Sequence, residues 1–225
     1  MPRIGRLVMP EYPHHIVQRG HDRNEVFVEA ADYRYYLDTL KEFKEVFGVR
    51  LYAYCLMTNH VHLLLAPSDH SGIGQLMKRL AGRQTRYRNK LEKRCGTLWD
   101  GRYKSSLVDV DNYLMACVRY IELNPVRARM VDEPGKFQWS SYRERIGKTS
   151  VRLLDELPVE KGVNHGAFVE GAIPDGEWEL IRKAVKSNHI TGSEKFCERI
   201  EIALGRRLRQ RTPGRPRETE VLYGK

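Results

Sequence analysis

"VRLYAYCLMTNHVHLLLAP", residues 49–67, decides the fold. Two runs of aliphatic and aromatic residues, "VRLYAYCLM" and "HVHLLLAP", flank a turn around Thr58–Asn59, which is the pattern of two paired strands. Before them, "PHHIVQRG" (13–20) reads as a short strand closed by a glycine turn. "AADYRYYLDTLKEFKEVFG" (30–48) reads as a helix, with Tyr33, Tyr36, Leu37, Leu40, Phe43 and Phe47 at helical spacing and Gly48 as its stop. After the hairpin, "GIGQLMKRLAGRQTRYRNKLEKRCG" (72–96) is a long helix with Ile73, Leu76, Met77, Leu80, Tyr87 and Leu91 on one face. "YKSSLVDV" (103–110) supplies a fourth strand, and Asp111 caps a further helix, "NYLMACVRYIEL" (112–123).

The order β-α-β-β-α-β predicts an α+β, ferredoxin-like fold: one four-stranded antiparallel sheet with two helices on a face, plus a final helix. Beyond "WSSYRERIG" (139–147) the sequence turns rich in Gly and Pro, and two short helical patterns follow, "DGEWELIRKAVKSN" (175–188) and "SEKFCERIEIALGRRLRQR" (193–211). The expected organisation is a main domain over 1–148 and, over 149–225, a small helical C-terminal appendage ending in a mobile basic tail.

The 225 residues are 41% hydrophobic and 30% charged, enough apolar content for a packed core. Lys and Arg number 39 against 29 Asp and Glu, a formal net charge of +10 that favours anionic partners, nucleic acid before membrane. Four scattered cysteines without CxxC spacing argue against a zinc ribbon or a disulfide scaffold. With no signal-peptide stretch and no run of bilayer-spanning length, the expected location is cytoplasmic, nucleoid-associated, without a membrane partner.

Within the hairpin, strand period places His60, His62 and Leu64 on one face and Val61, Leu63 and Leu65 on the other. Two imidazoles so placed can share one metal ion, or they can be unusual core residues; the triplet alone leaves both open. On the later helix Tyr120 and Asn124 are four apart and share a side. Tyr120 lies off the apolar stripe of Leu114, Met115, Val118 and Ile121, so it is either a functional or a partly exposed packing tyrosine. Asn124 precedes Pro125 and is equally suited to capping a short helix, "PVRARM" (125–130).

Taken together, "YCLMTNHVHLLL" (54–65), "LWDGRYKSS" (98–106) and "YIELNPVRARMV" (120–131) resemble the single-tyrosine transposases of bacterial insertion sequences, in the HUH endonuclease superfamily, and among them the REP-associated tyrosine transposases. The likeness spans about residues 10–145; beyond 150 it rests on "GSEKFCERIEIALGRR" and "GRPR". The resemblance implies that His60 and His62 are paired metal ligands, that Tyr120 is the nucleophile, and that Asn124 stands where the family supplies a third ligand. Some relatives carry glutamine there, so asparagine is a shorter substitute. It further implies a metal-dependent endonuclease and strand transferase that uses Mg²⁺ or Mn²⁺ on single-stranded or hairpin DNA of REP palindromes, through a 5′-phosphotyrosine. The alternative is a domesticated, non-catalytic relative that binds hairpins. The protein is either a monomer or a homodimer, the monomer being favoured.

Basic residues mark the expected DNA contacts. Arg79, Arg83 and Arg86 lie on the long helix with Lys78, Lys90, Lys93 and Arg94, where Glu92 is the only acid. Arg102 and Lys104 flank Tyr103 near Trp99, a basic and aromatic mixture suited to single strands. Arg19 and Arg23 follow the first strand, and Arg206 and Arg207 open the C-terminal basic run.

Overall fold

The strand order of the single sheet is β2-β3-β1-β4, every neighbouring pair antiparallel. Its strands are β1 (His14–Arg19), β2 (Val49–Met57), β3 (His60–Pro67) and β4 (Lys104–Leu107). This is the ferredoxin-like arrangement expected from the element order. The structure, a computed structural model, describes residues 6–159, 162, 164–205 and 207; Arg206 and the basic tail from 208 lie outside the described residues.

Side-chain alternation divides the interior into two cores. Ile16, Leu51, Tyr54, Val61, Leu63 and Leu65 face helices α1 (Ala30–Val46) and α2 (Gly72–Leu91), which also pack on each other. Ala53, Cys55, Met57, Leu64 and Ala66 face α3 (Val110–Glu122) on the opposite side. Each fully buried Leu or Ile contributes about 1.5–3 kcal/mol, so hydrophobic burial fixes which face each strand presents. A bulge between Leu51 and Ala53 inserts Tyr52 as an extra residue in β2. Beyond it, Cys55 pairs with His62 and Met57 with His60, so these four side chains share the α3 face.

On the α1/α2 side, buried Asp32 ties two elements together. It accepts the backbone N–H groups of Val28 and Glu29 at the start of α1, and Nη1 of buried Arg88 on α2 at 2.7 Å. Arg88 also pairs with Glu92. This buried charge pair ties α1 to α2, since removing either partner would strand the other charge.

The final helix differs from expectation in two details. Its N-cap is Asp109, with Asp111 in the first turn of the helix, because Asp109 is held outside the helix by Ser193 and Asn112. Its buried side is also wider than the predicted stripe and includes Cys117 and Tyr120. The reason is a second layer. Helix α7 (Glu177–Ser187) packs on α3, β4 and β1, so α3 is covered on two sides. Short helices α4 (Asn124–Arg127), α5 (Tyr142–Arg145) and α6 (His165–Glu170) fill the remaining connections.

Two compact units emerge from the contacts within the chain, Met1–Ser193 and Glu194–Lys225. The second contains α8 (Glu194–Leu204). Among the described residues no helix is long and apolar enough to cross a membrane.

Candidate functional site

At the start of β3, beside the Thr58–Asn59 turn, both predicted histidines line one cleft, and each has its Nδ1 engaged in a hydrogen bond. The amide of Asn59 donates Nδ2–H to the Arg23 carbonyl at 3.0 Å, which turns its Oδ1 toward His60 Nδ1, 2.7 Å away. Oδ1 only accepts, so His60 must donate from Nδ1. Burial holds the ring neutral, with a pKa lowered to about 4 by desolvation and by Arg19. A neutral ring protonated at Nδ1 carries its lone pair on Nε2, the metal-binding tautomer.

His62 repeats this logic with a different partner. His15 on β1 stands diagonally across the strand pair, since Val17 is opposite His62 and His15 is opposite Leu64. Its Nε2 lies 2.9 Å from His62 Nδ1, and the rings stack with centroids 5.2 Å apart. Desolvation pushes the His62 pKa well below the usual value and His15 to about 3. Both rings are therefore neutral, and one proton is shared along the contact. When His62 donates it, His62 Nε2 is bare and faces the cleft. His15 Nδ1 has no hydrogen-bond partner among the described residues.

Tyr120 comes from α3 and is 4% exposed. Its ring meets His15 and His62 edge-on, at centroid distances of 5.6 and 5.9 Å. Trp178 of α7 stands edge-on to it at 6.3 Å, and the Arg127 guanidinium lies 5.0 Å from the Tyr120 ring and 3.8 Å from that of Trp178. These neighbours account for a burial that the helical stripe alone did not suggest. Asn124 is the first residue of α4, and Leu123 takes the cap position. Its Nδ2 donates to the Tyr120 carbonyl at 2.7 Å. Because that partner is a carbonyl, the amide orientation is fixed and Oδ1 is the atom left for other work. All three candidate ligands thus have their non-ligating nitrogen engaged. Among the described residues no group of three His, Cys, Asp or Glu side chains is spaced to hold a metal, so an ion here would depend on the two imidazoles and the neutral amide.

His60, His62, Tyr120 and Asn124 line one cleft of about 600 Å³. Arg19, Arg23, Arg102 and Lys104, read from sequence as DNA contacts, line it too, together with Arg127, Arg182 and Lys186. Asp100 is the one acid among its described lining residues, so the walls are strongly positive around the histidines and the tyrosine. The turn that carries Arg19 and Arg23 depends on Gly20: a Cβ there would sit 2.2 Å from the Asn24 carbonyl oxygen. Asp22 and Arg23 follow with φ of 50° and 61°, a left-handed pair costly for non-glycine residues.

The other basic residues lie elsewhere. Arg79 and Arg86 line a separate depression of about 410 Å³ on α2, with Gln75, Lys78 and Gly82. Arg83 pairs with Glu42 of α1 and lies over the Phe43 ring. Trp99 and Tyr103 are buried in the α1/α2 core, where Trp99 Nε1 donates to the Ala81 carbonyl and Tyr103 lies under Arg6. They are packing residues, unavailable to stack on bases. Arg207 is exposed in the second unit.

Sequence reading missed His15, Asn59, Arg127, Trp178, Arg182 and Lys186. Two signals were present: His15 shares strand parity with Arg19, and Asn59 precedes the histidine pair. No local pattern tied 178–186 to the tyrosine, because that contact is made by tertiary packing.

Comparison with known proteins follows the same lines. The family model described as "Transposase IS200 like" matches residues 9–124. A solved structure of a REP-associated tyrosine transposase bound to a REP hairpin shares the fold. It is 13% identical, has a TM-score of 0.56, and the match covers 73% of this chain and all of that one. A putative transposase from Deinococcus radiodurans is 24% identical with a TM-score of 0.36, over 51% of this chain and 91% of that one. Among curated proteins none matches. The matched segment begins before β1 and ends at Asn124, so it contains the histidine pair and the tyrosine helix: the chain belongs to the IS200-like transposase family.

Proposed function

We propose that this transposase cleaves and rejoins single-stranded DNA at REP-type palindromic hairpins through a covalent bond to Tyr120. The observation that carries the reading is the convergence, in one basic cleft, of the tyrosine with two histidines whose Nδ1 atoms are already engaged. In the proposed step Tyr120 Oη attacks the scissile phosphorus. The bond from phosphorus to the 3′ oxygen breaks, the phenol proton departs, and the leaving oxygen takes up a proton as a 3′-OH. The 5′-phosphotyrosine conserves the bond energy, so a 3′-OH can reverse the step and join a strand. Arg127, beside the Tyr120 ring, would hold a phosphate oxygen, and Arg19 and Lys104, which line the same cleft, neighbouring phosphates.

His60 Nε2, His62 Nε2 and Asn124 Oδ1 would hold Mg²⁺ or Mn²⁺, a donor set of two imidazoles and one oxygen with room for water and phosphate. When bound, the ion supplies Lewis-acid neutralisation of the scissile phosphate. The chain's own part is to hold the rings: Asn59 fixes the tautomer of His60, and His15 Nε2 accepts the Nδ1 proton of His62 when His62 takes its ligating tautomer.

A direct test is incubation of labelled single-stranded palindromic DNA with Mg²⁺ or Mn²⁺. Cleavage together with a denaturant-stable protein–DNA adduct is expected, and EDTA should abolish both while sparing hairpin binding. Hairpin binding without any adduct would instead favour a non-catalytic binder.

The role of His15 makes its own prediction. His15→Phe keeps an aromatic ring in the stack, though a bulkier one, and removes the acceptor for His62 Nδ1–H. Mn²⁺ affinity, read by electron paramagnetic resonance or calorimetry, is expected to fall about 10–100-fold, and stability to fall by about 1–3 kcal/mol because buried His62 Nδ1–H loses its partner. Unaltered affinity would remove His15 from the site.

A further inference from the structure

Helix α7 belongs to no motif used above, yet it forms one side of the cleft. Arg182, Val185 and Lys186 all line it. Arg182 and Lys186 are one helical turn apart and exposed, while Val185 between them is buried, so both cations stand on the rim facing the opening. Neither is engaged in an ion pair among those found between described residues.

The helix is anchored at both ends. At its start Glu177 receives a two-pronged bond from Arg119 Nη2 of α3, at 2.7 and 2.8 Å, with the two side chains only 11% and 7% exposed. At its end the chain runs along β4, the edge strand of the sheet. Lys104 Nζ donates to the Lys186 carbonyl and the Ser105 N–H to Asn188 Oδ1. Thr191 then donates its N–H to the Leu107 carbonyl, and its hydroxyl meets that of Ser106 at 2.6 Å. These contacts cover the exposed edge of the sheet and set α7 rigidly against the catalytic elements.

Arg182 and Lys186 therefore line the nucleophile's cleft together with Arg19 and Arg23, on a helix anchored through Glu177 and the edge of β4. Two cationic side chains whose Cβ atoms lie about 6 Å apart at i, i+4 can reach successive phosphates of one strand. Their exposure makes them poor stabilisers of the fold, for surface charges contribute little.

We propose that α7 is the second wall of a single-strand path, with Arg182 and Lys186 binding backbone phosphates that flank the scissile one. The assignment rests on the reading of this cleft as a DNA-cleaving site. It concerns sugar–phosphate backbone, so it predicts affinity independent of base sequence.

The test compares the full chain with its Arg182→Ala/Lys186→Ala variant on an unstructured probe, a labelled 20-nucleotide oligothymidylate, across a sodium chloride series. Each lost single-strand phosphate contact flattens the slope of log K against log salt by about 0.7. The double variant should therefore be shallower by about 1.4, and the affinity loss should be equal on a mixed-sequence strand. A slope unchanged from wild type overturns the proposal. So does wild-type protein that binds no single strand at all, which would overturn the DNA reading of the cleft as well. Steep wild-type binding here, with no covalent adduct on single-stranded palindromic DNA, would overturn cleavage alone and leave the slope comparison decisive for α7.

Discussion

Tyr120→Phe is expected to abolish both strand cleavage and the covalent adduct, a loss on the order of 10⁴-fold or more, while hairpin binding changes little. The substitution removes a single oxygen. Tyr120 is buried against His15, His62, Trp178 and Arg127 through its ring, and phenylalanine reproduces those contacts, so the fold and the basic walls of the cleft stay in place. What disappears is the atom that forms the phosphotyrosine, and with it the conserved bond energy needed for rejoining. Single-turnover cleavage of labelled single-stranded DNA measures the effect. A variant that still forms an adduct would transfer the nucleophile to another residue.

His62→Ala is expected to cost on the order of 10³-fold in cleavage, the several kcal/mol that a Lewis acid supplies at a phosphate. Mn²⁺ binding should disappear with it. The variant also leaves His15 Nε2 without its partner inside the sheet, a penalty of about 1–3 kcal/mol in stability, which urea unfolding would register. DNA affinity at fixed salt should stay within a few-fold, because the cationic residues of the cleft are untouched. Loss of DNA binding in step with cleavage would instead make His62 a structural support for the cleft.

Much of this architecture is legible before any coordinates. The hairpin pattern of 49–67 and the helices on either side give the α+β fold, and strand alternation in β3 puts His60 and His62 on one face; that this face meets α3 comes from tertiary packing. The tyrosine helix could be located, but not its surroundings. A stripe of Leu114, Val118 and Ile121 describes one packed face, whereas α3 has two, since α7 returns from more than fifty residues downstream to lie against it. Trp99 and Tyr103 illustrate the opposite error. Their basic neighbours suggested a surface for bases, and their size placed them in the core. His15 carries no sequence signal tying it to His62; only the register of β1 against β3 brings the two together.

Chain order also hides how charge is distributed. Arg79, Arg83 and Arg86 form the densest basic helix, but they lie away from the tyrosine, one of them committed to Glu42. The cleft assembles its positive walls from residues scattered between Arg19 and Lys186. Net charge predicts an anionic partner; the sheet and two helices decide where that partner meets the chemistry.

The central claim is that Tyr120 becomes covalently joined to DNA. Mass spectrometry of a tryptic digest, made after reaction with single-stranded palindromic DNA and Mn²⁺, tests it most directly. Cleavage after Arg119 and Arg127 releases the peptide "YIELNPVR". The account predicts this peptide carrying a 5′-phosphonucleotide on its tyrosine. An adduct on any other peptide, or cleaved DNA with this peptide unmodified throughout the reaction, would contradict it.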